Sequence, residues 1–163
     1  MGSSLPHLSS VRSALSLLLL GIGLVWPVDS MGQGTDGSVH VGPQVGQPGG
    51  VTLKVYRSRH TAYDGLITTA GDNFVTLYLH RVYEQPLPDS LVNGYVGPGI
   101  LVGGEELDTS PRPKVGMSAQ VGLNFYAKRF EVFLHATPTL RFLPDVRPTL
   151  GGSVGLRYIL HQP

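Results

Sequence analysis

Between Lys114 and Leu160, polar and apolar residues exchange places at nearly every step. One parity reads Val115, Met117, Ala119, Val121, Leu123 and Phe125, and the other reads Lys114, Gly116, Ser118, Gln120, Gly122 and Asn124. A second run sets Phe130, Val132, Leu134, Ala136, Leu140 and Phe142 against Glu131, His135, Thr137, Thr139 and Arg141. Side chains point to alternate faces along a strand, so this patterning specifies strands with one apolar and one polar face. Strands average about 5–6 residues. Two runs of about twice that length, joined at Tyr126-Ala127-Lys128-Arg129, indicate a barrel hairpin rather than part of a small soluble sheet.

Six further segments carry weaker strand patterns: His40 to Val45, Gly50 to Tyr56, Tyr63 to Thr69, Asn73 to Tyr83, Leu91 to Val102 and Gly151 to Leu160. Within them Val51, Leu53 and Val55 oppose Thr52, Lys54 and Tyr56, while Val75, Leu77 and Leu79 oppose Thr76, Tyr78 and His80. In the last, Val154, Leu156, Tyr158 and Leu160 oppose Ser153, Gly155 and Arg157. No 3.6-residue periodicity follows the N-terminal segment, so the expected fold is all-β, an antiparallel up-and-down barrel of about eight strands. Gly71-Asp72, Ala127-Lys128 and Pro144-Asp145 carry turn chemistry. Gly103 to Arg112 is acidic and rich in turn formers, and reads as the longest exposed loop. With both chain ends on one side, that loop and Pro144 to Thr149 fall at the far end. Pro98 and Pro138 lie within strands, where the missing N–H demands a bulge or an end to pairing.

The N-terminus reads as an export signal. Arg12 precedes an apolar run of 13 residues, Ala14 to Trp26, shorter than the roughly 20 that span a bilayer as a helix. An uncleaved anchor is the rival reading. The expected organisation is a signal peptide at 1–30, a glycine-rich linker at 31–37, a barrel at 38–160 and a short tail at 161–163. Cysteine is absent, and a net charge of +1 offers no nucleic-acid footprint.

Alternation alone fits two barrels of opposite sense. A lipocalin-like periplasmic barrel turns its apolar parity inward, with Val121, Leu134 and Leu156 lining a ligand cavity. A membrane barrel turns that parity to lipid. Three features favour the membrane. Phe130 and Phe142 share a parity twelve residues apart, which at a strand tilt near 40° spans roughly 30 Å, close to the separation of two aromatic girdles. The polar parity is rich in Gly and Ser, which suit a crowded lumen. Its charges are of mixed sign. The expected lumen network is Tyr78, His80, Gln120, Asn124, Glu131, His135, Arg141 and Arg157. The expected lipid-facing set is Val115, Met117, Val121, Leu123, Phe125, Phe130, Val132, Leu134, Leu140, Phe142, Leu156 and Tyr158.

Two segments carry a resemblance: Phe130-Glu131-Val132-Phe133-Leu134-His135-Ala136-Thr137-Pro138, and Leu150-Gly151-Gly152-Ser153-Val154-Gly155-Leu156-Arg157-Tyr158. Together with Leu77-Tyr78-Leu79-His80, they make the chain resemble the short bacterial outer-membrane β-barrel families of unknown function. The resemblance implies an outer-membrane address, with Pro138 as a family feature, and it carries no catalytic motif.

The chemistry search is sparse. His40, His60, His80 and His135 lack short metal-ligand spacing. Glu131 and Asp108 lack a partnered carboxylate, and Ser118 and Ser153 lack a nucleophile elbow. Gly97 to Gly104 fails the phosphate-loop pattern. The expectation is a non-enzymatic outer-membrane barrel of a Gram-negative-type bacterium, without cofactor, metal or nucleic acid. Its expected partners are membrane lipid and the barrel-assembly machinery, and its ligand is unknown.

Overall fold

A computed structural model describes residues 36–70, 74–107 and 110–161. The proposed signal peptide, most of the linker, Gly71-Asp72, Asp108 and the final two residues lie outside them. Eight strands follow in order: β1 (Val39–Gly46), β2 (Gly50–Ser58), β3 (Thr61–Ala70), β4 (Phe74–Pro86), β5 (Val92–Leu107), β6 (Ser110–Ala127), β7 (Phe130–Leu143) and β8 (Arg147–His161). Each pairs antiparallel with its sequence neighbours, and β1 pairs with β8, so the sheet closes on itself. Closure leaves no edge strand with unpaired N–H and C=O groups.

Several boundaries differ from the sequence reading. Gly103 to Arg112 is not a loop: β5 and β6 continue as a regular ladder through Gly104↔Pro113 and Glu105↔Arg112 to Leu107↔Ser110. Glycine, acid and proline suggested a turn there, but both strands run on in register. The last linker residues are tied down, because the Gly37 N–H donates to the Tyr56 carbonyl at 3.0 Å. His161, assigned to the tail, ends β8.

Prolines are accommodated without bulges. The β4·β5 ladder passes from His80↔Gly99 to Tyr83↔Val96 in unchanged register, omitting the pairs that would include Pro98. The β6·β7 ladder likewise passes from Ser118↔Thr139 to Val121↔Ala136 across Pro138. A third gap lies at Pro43, between Val41↔Tyr158 and Gln44↔Gly155. On its other side each proline pairs normally, with Ala119, Leu150 and Val51 respectively. A proline lacks one donor, so it needs only one silent stretch on one flank. Register shifts occur elsewhere, at Val39/His40, Tyr56/Ser58 and Val115/Gly116.

Exposed large apolar side chains occur on all eight strands, from Val45 on β1 to Leu160 on β8. The buried parity is largely polar and charged, and Leu66, Tyr78 and Leu101 form an apolar cluster inside. Apolar outside and ionic inside is the inverse of a soluble core.

Candidate functional site: the barrel lumen

The lumen is layered. At the end that holds both termini, strand alternation brings Lys54 and Tyr56 (β2), Asp64 (β3), Glu84 (β4), Asn124 (β6), Glu131 (β7) and Arg157 (β8) to one interior level, with His40 from β1. Glu131 is the hub and is fully buried. Its Oε1 accepts from Lys54 Nζ at 2.8 Å, Asn124 Nδ2 at 2.9 Å and Arg157 at 3.1 Å, while its Oε2 accepts from His40 Nδ1 at 2.7 Å. Four donors thus converge on one carboxylate, three of them on Oε1.

Arg157, also fully buried, reaches the other way. It donates to Asp64 Oδ2 at 2.6 Å and to Thr52 Oγ1 at 2.8 Å, and its guanidinium lies 3.9 Å from the centre of the Phe133 ring. The Thr52 hydroxyl in turn donates to Asp64 Oδ1 at 2.8 Å. Lys54 bridges Glu131 to Glu84 Oε2 at 2.9 Å, and Glu84 accepts further from Tyr56, Tyr126 and Asn93. Buried charges persist only when paired and hydrogen-bonded, and every carboxylate here has at least one cationic partner.

Above this layer, His80 Nε2 meets Ser118 Oγ at 2.8 Å and Tyr95 OH meets His135 Nδ1 at 2.7 Å. Nearer the opposite end the lining turns to hydroxyls: Thr68, Thr76, Thr137 and Thr139, with Gln44 and Tyr78. The β1–β2 turn folds over this end. Its Pro48 carbonyl accepts from Gln44 Nε2 at 2.7 Å and from Ser153 Oγ at 2.8 Å. Gly151 permits that approach, since a Cβ there would sit 1.8 Å from the Gln47 carbonyl oxygen.

Of the residues expected in the lumen, Tyr78, His80, Gln120, Asn124, Glu131, His135 and Arg157 are buried inside, and Arg141 is half-buried toward the far end. Those expected on the apolar face point outward: Val115, Met117, Val121, Leu123, Phe130, Leu134, Leu140, Phe142, Leu156 and Tyr158 are exposed, and Phe125 and Val132 half-exposed. Val121, Leu134 and Leu156, cavity residues in the lipocalin-like alternative, are 54%, 58% and 42% exposed. That cavity therefore does not form, because the parity carrying it lies outside.

Sequence reasoning missed Lys54, Asp64, Glu84 and His40. It also left Glu131 without a second carboxylate, whereas Lys54 joins it to Glu84. The signal for Lys54 was present in its parity opposite Leu53 and Val55. Phe133 was missed because it breaks the alternation. It enters the lumen to cover Gly155, its cross-strand partner, where a Cβ would lie 2.3 Å from the Phe133 ring.

Comparison with protein-family models and with curated protein sequences yields no match. Among solved structures the chain is similar to the crystal structure of the N-terminal β-barrel domain of Pseudomonas aeruginosa OprF. The TM-score is 0.60 at 12% identity, over 78% of this chain and 100% of that one. The likeness establishes the closed eight-stranded barrel.

Proposed function

We propose that this chain is an outer-membrane β-barrel with a sealed lumen, serving the envelope as an anchor or interaction platform rather than as a diffusion pore. The observation that carries the proposal is the sense of the barrel, with large apolar side chains outward on every strand and ion pairs inward. In water such a surface is a severe aggregation liability, and in lipid it is the required one. The rim supports this reading. At the terminal end Phe130 packs edge-on against Tyr158, with ring centres 5.4 Å apart, and Arg129 reaches the Tyr158 hydroxyl. Arg81 lies over the Tyr83 ring on the same outer face. Aromatic and arginine side chains together suit the headgroup boundary.

An eight-stranded barrel is about wide enough to be filled by its own side chains. Here Arg157, Lys54, Glu131 and Tyr56 fill the terminal half. The proposed role is accordingly non-catalytic and non-conducting, with export through the N-terminal segment and insertion by the barrel-assembly machinery. Cell fractionation combined with heat-modifiable gel migration tests the address. The expected result is recovery in the outer membrane, with boiled and unboiled samples migrating differently. Recovery in the soluble periplasmic fraction with no mobility shift refutes it.

A further inference from the structure

The two halves of the lumen are unequally satisfied. In the terminal half the carboxylates and cations are all partnered, and Asn124 Oδ1 is the network atom left without a partner. Toward the opposite end, Gln44 Oε1, Thr137 Oγ1, Gln120 Oε1, His80 Nδ1 and His135 Nε2 are buried without a hydrogen-bond partner. Gln44 and Thr137 are only 3% and 1% exposed, and both line an open vestibule of about 750 Å³. Buried polar groups in native proteins are overwhelmingly bonded, and two exceptions on the wall of one cavity, Gln44 and Thr137, mark a surface built for something that supplies the bonds.

We infer that the vestibule is a carbohydrate-binding site. The chemistry of its lining selects the class. Gln44 Oε1 only accepts, and the hydroxyls of Thr68, Thr76, Thr137 and Thr139 both donate and accept. A partner must therefore be rich in groups that donate and accept together, which describes sugar hydroxyls. Among the described residues the wall carries no carboxylate and one charged group, Lys114. Tyr78 contributes an apolar ring beside the hydroxyls. The volume lies within the range of small-ligand sites, about 300–1,000 Å³. The Gln47-Pro48-Gly49 turn, pinned by Gln44 and Ser153, forms one lip and holds Gln44 so that its amide nitrogen is occupied and its oxygen is not.

This site belongs to the barrel interior and stands whichever solvent meets the outer face. The membrane proposal adds only that the mouth, remote from both termini, opens to the cell exterior. The test uses the full-length folded barrel in detergent micelles, with threonine methyl groups labelled for NMR. It is titrated with glucose, N-acetylglucosamine and maltotriose in turn. The expected result is saturable shifts at Thr68, Thr76 and Thr137 with at least one sugar, and weakening of about tenfold in Thr137→Val. Thr76→Val serves as a second variant, and both are checked for folding by heat-modifiable migration. Absence of saturable shifts with all three sugars, leaving water as the occupant, overturns the inference. So does binding unchanged in both folded variants.

Discussion

Arg157→Met is the most informative single perturbation of the barrel interior. Methionine keeps much of the length and the contact with the Phe133 ring, but it removes the guanidinium donors to Asp64, Glu131 and Thr52. Glu131 still holds Lys54, His40 and Asn124. Asp64 retains only the Thr52 hydroxyl and becomes the stranded charge. Breaking a buried pair by removing one partner costs about 3–5 kcal/mol. The loss should fall toward the lower half of that range, since three of the four Glu131 contacts survive. With a urea m-value of about 2 kcal/mol/M, the midpoint should drop by about 1.5–2 M. The assay is urea titration of the barrel in micelles, followed by gel mobility and by tyrosine fluorescence, because the single tryptophan, Trp26, lies in the proposed signal. The decisive arm is Asp64→Asn combined with Arg157→Met, which removes the stranded charge. It should recover about half of the loss, and with Asp64→Asn alone completing the cycle the coupling should be about 1–3 kcal/mol. A single-mutant loss below about 1 kcal/mol, or strict additivity of the two substitutions, refutes the claim that Asp64 depends on Arg157.

Leu134→Arg, at an outward position 58% exposed, should cost about 2–4 kcal/mol and block membrane assembly, whereas Ser118→Arg acts by crowding the lumen. Equal tolerance of both in membrane fractions would contradict the assigned parity. Gly155→Ala places a methyl 2.3 Å from the Phe133 ring and should destabilise by about 1–3 kcal/mol. Gly152→Ala meets nothing within 4 Å and should be neutral or stabilising by up to about 1 kcal/mol in the same urea titration. Amide exchange should be faster by about tenfold at Ala119, opposite Pro138 in the gap, than at Leu123 in the intact ladder. Uniform protection along β6 would show that the gap is closed in solution.

How much of this was legible depended on range. The β6 and β7 faces could be read directly because alternation is local, set by each residue and the one two places on. The hairpin from Gly103 to Arg112 could not. Its strand character comes from Glu105 facing Arg112 and Gly104 facing Pro113, a partnership that composition conceals. The lumen network was half legible. Glu131, Arg157 and Asn124 sit in strong alternating runs, while Asp64 and Glu84 lie in weaker ones and acquire meaning only when closure brings β3 and β4 opposite β7 and β8. Phe133 shows the limit of parity as a guide, since an apolar residue inside a polar lumen is explained by the bare Gly155 beside it and the cation above it.

Glu131 also governs the order in which the barrel can become stable. Its ligands come from β1, β2, β6 and β8, and Arg157 carries the chain of contacts on to β3. No sequential subset of strands satisfies the set: a sheet lacking β1 and β2 leaves Glu131 without His40 and Lys54, and one lacking β8 strands Asp64. Half-built sheets therefore carry buried charges with an incomplete set of partners, and the joining of β1 to β8 completes the set. The interior charges act as a completeness check on the fold, met in full only when all eight strands are in place.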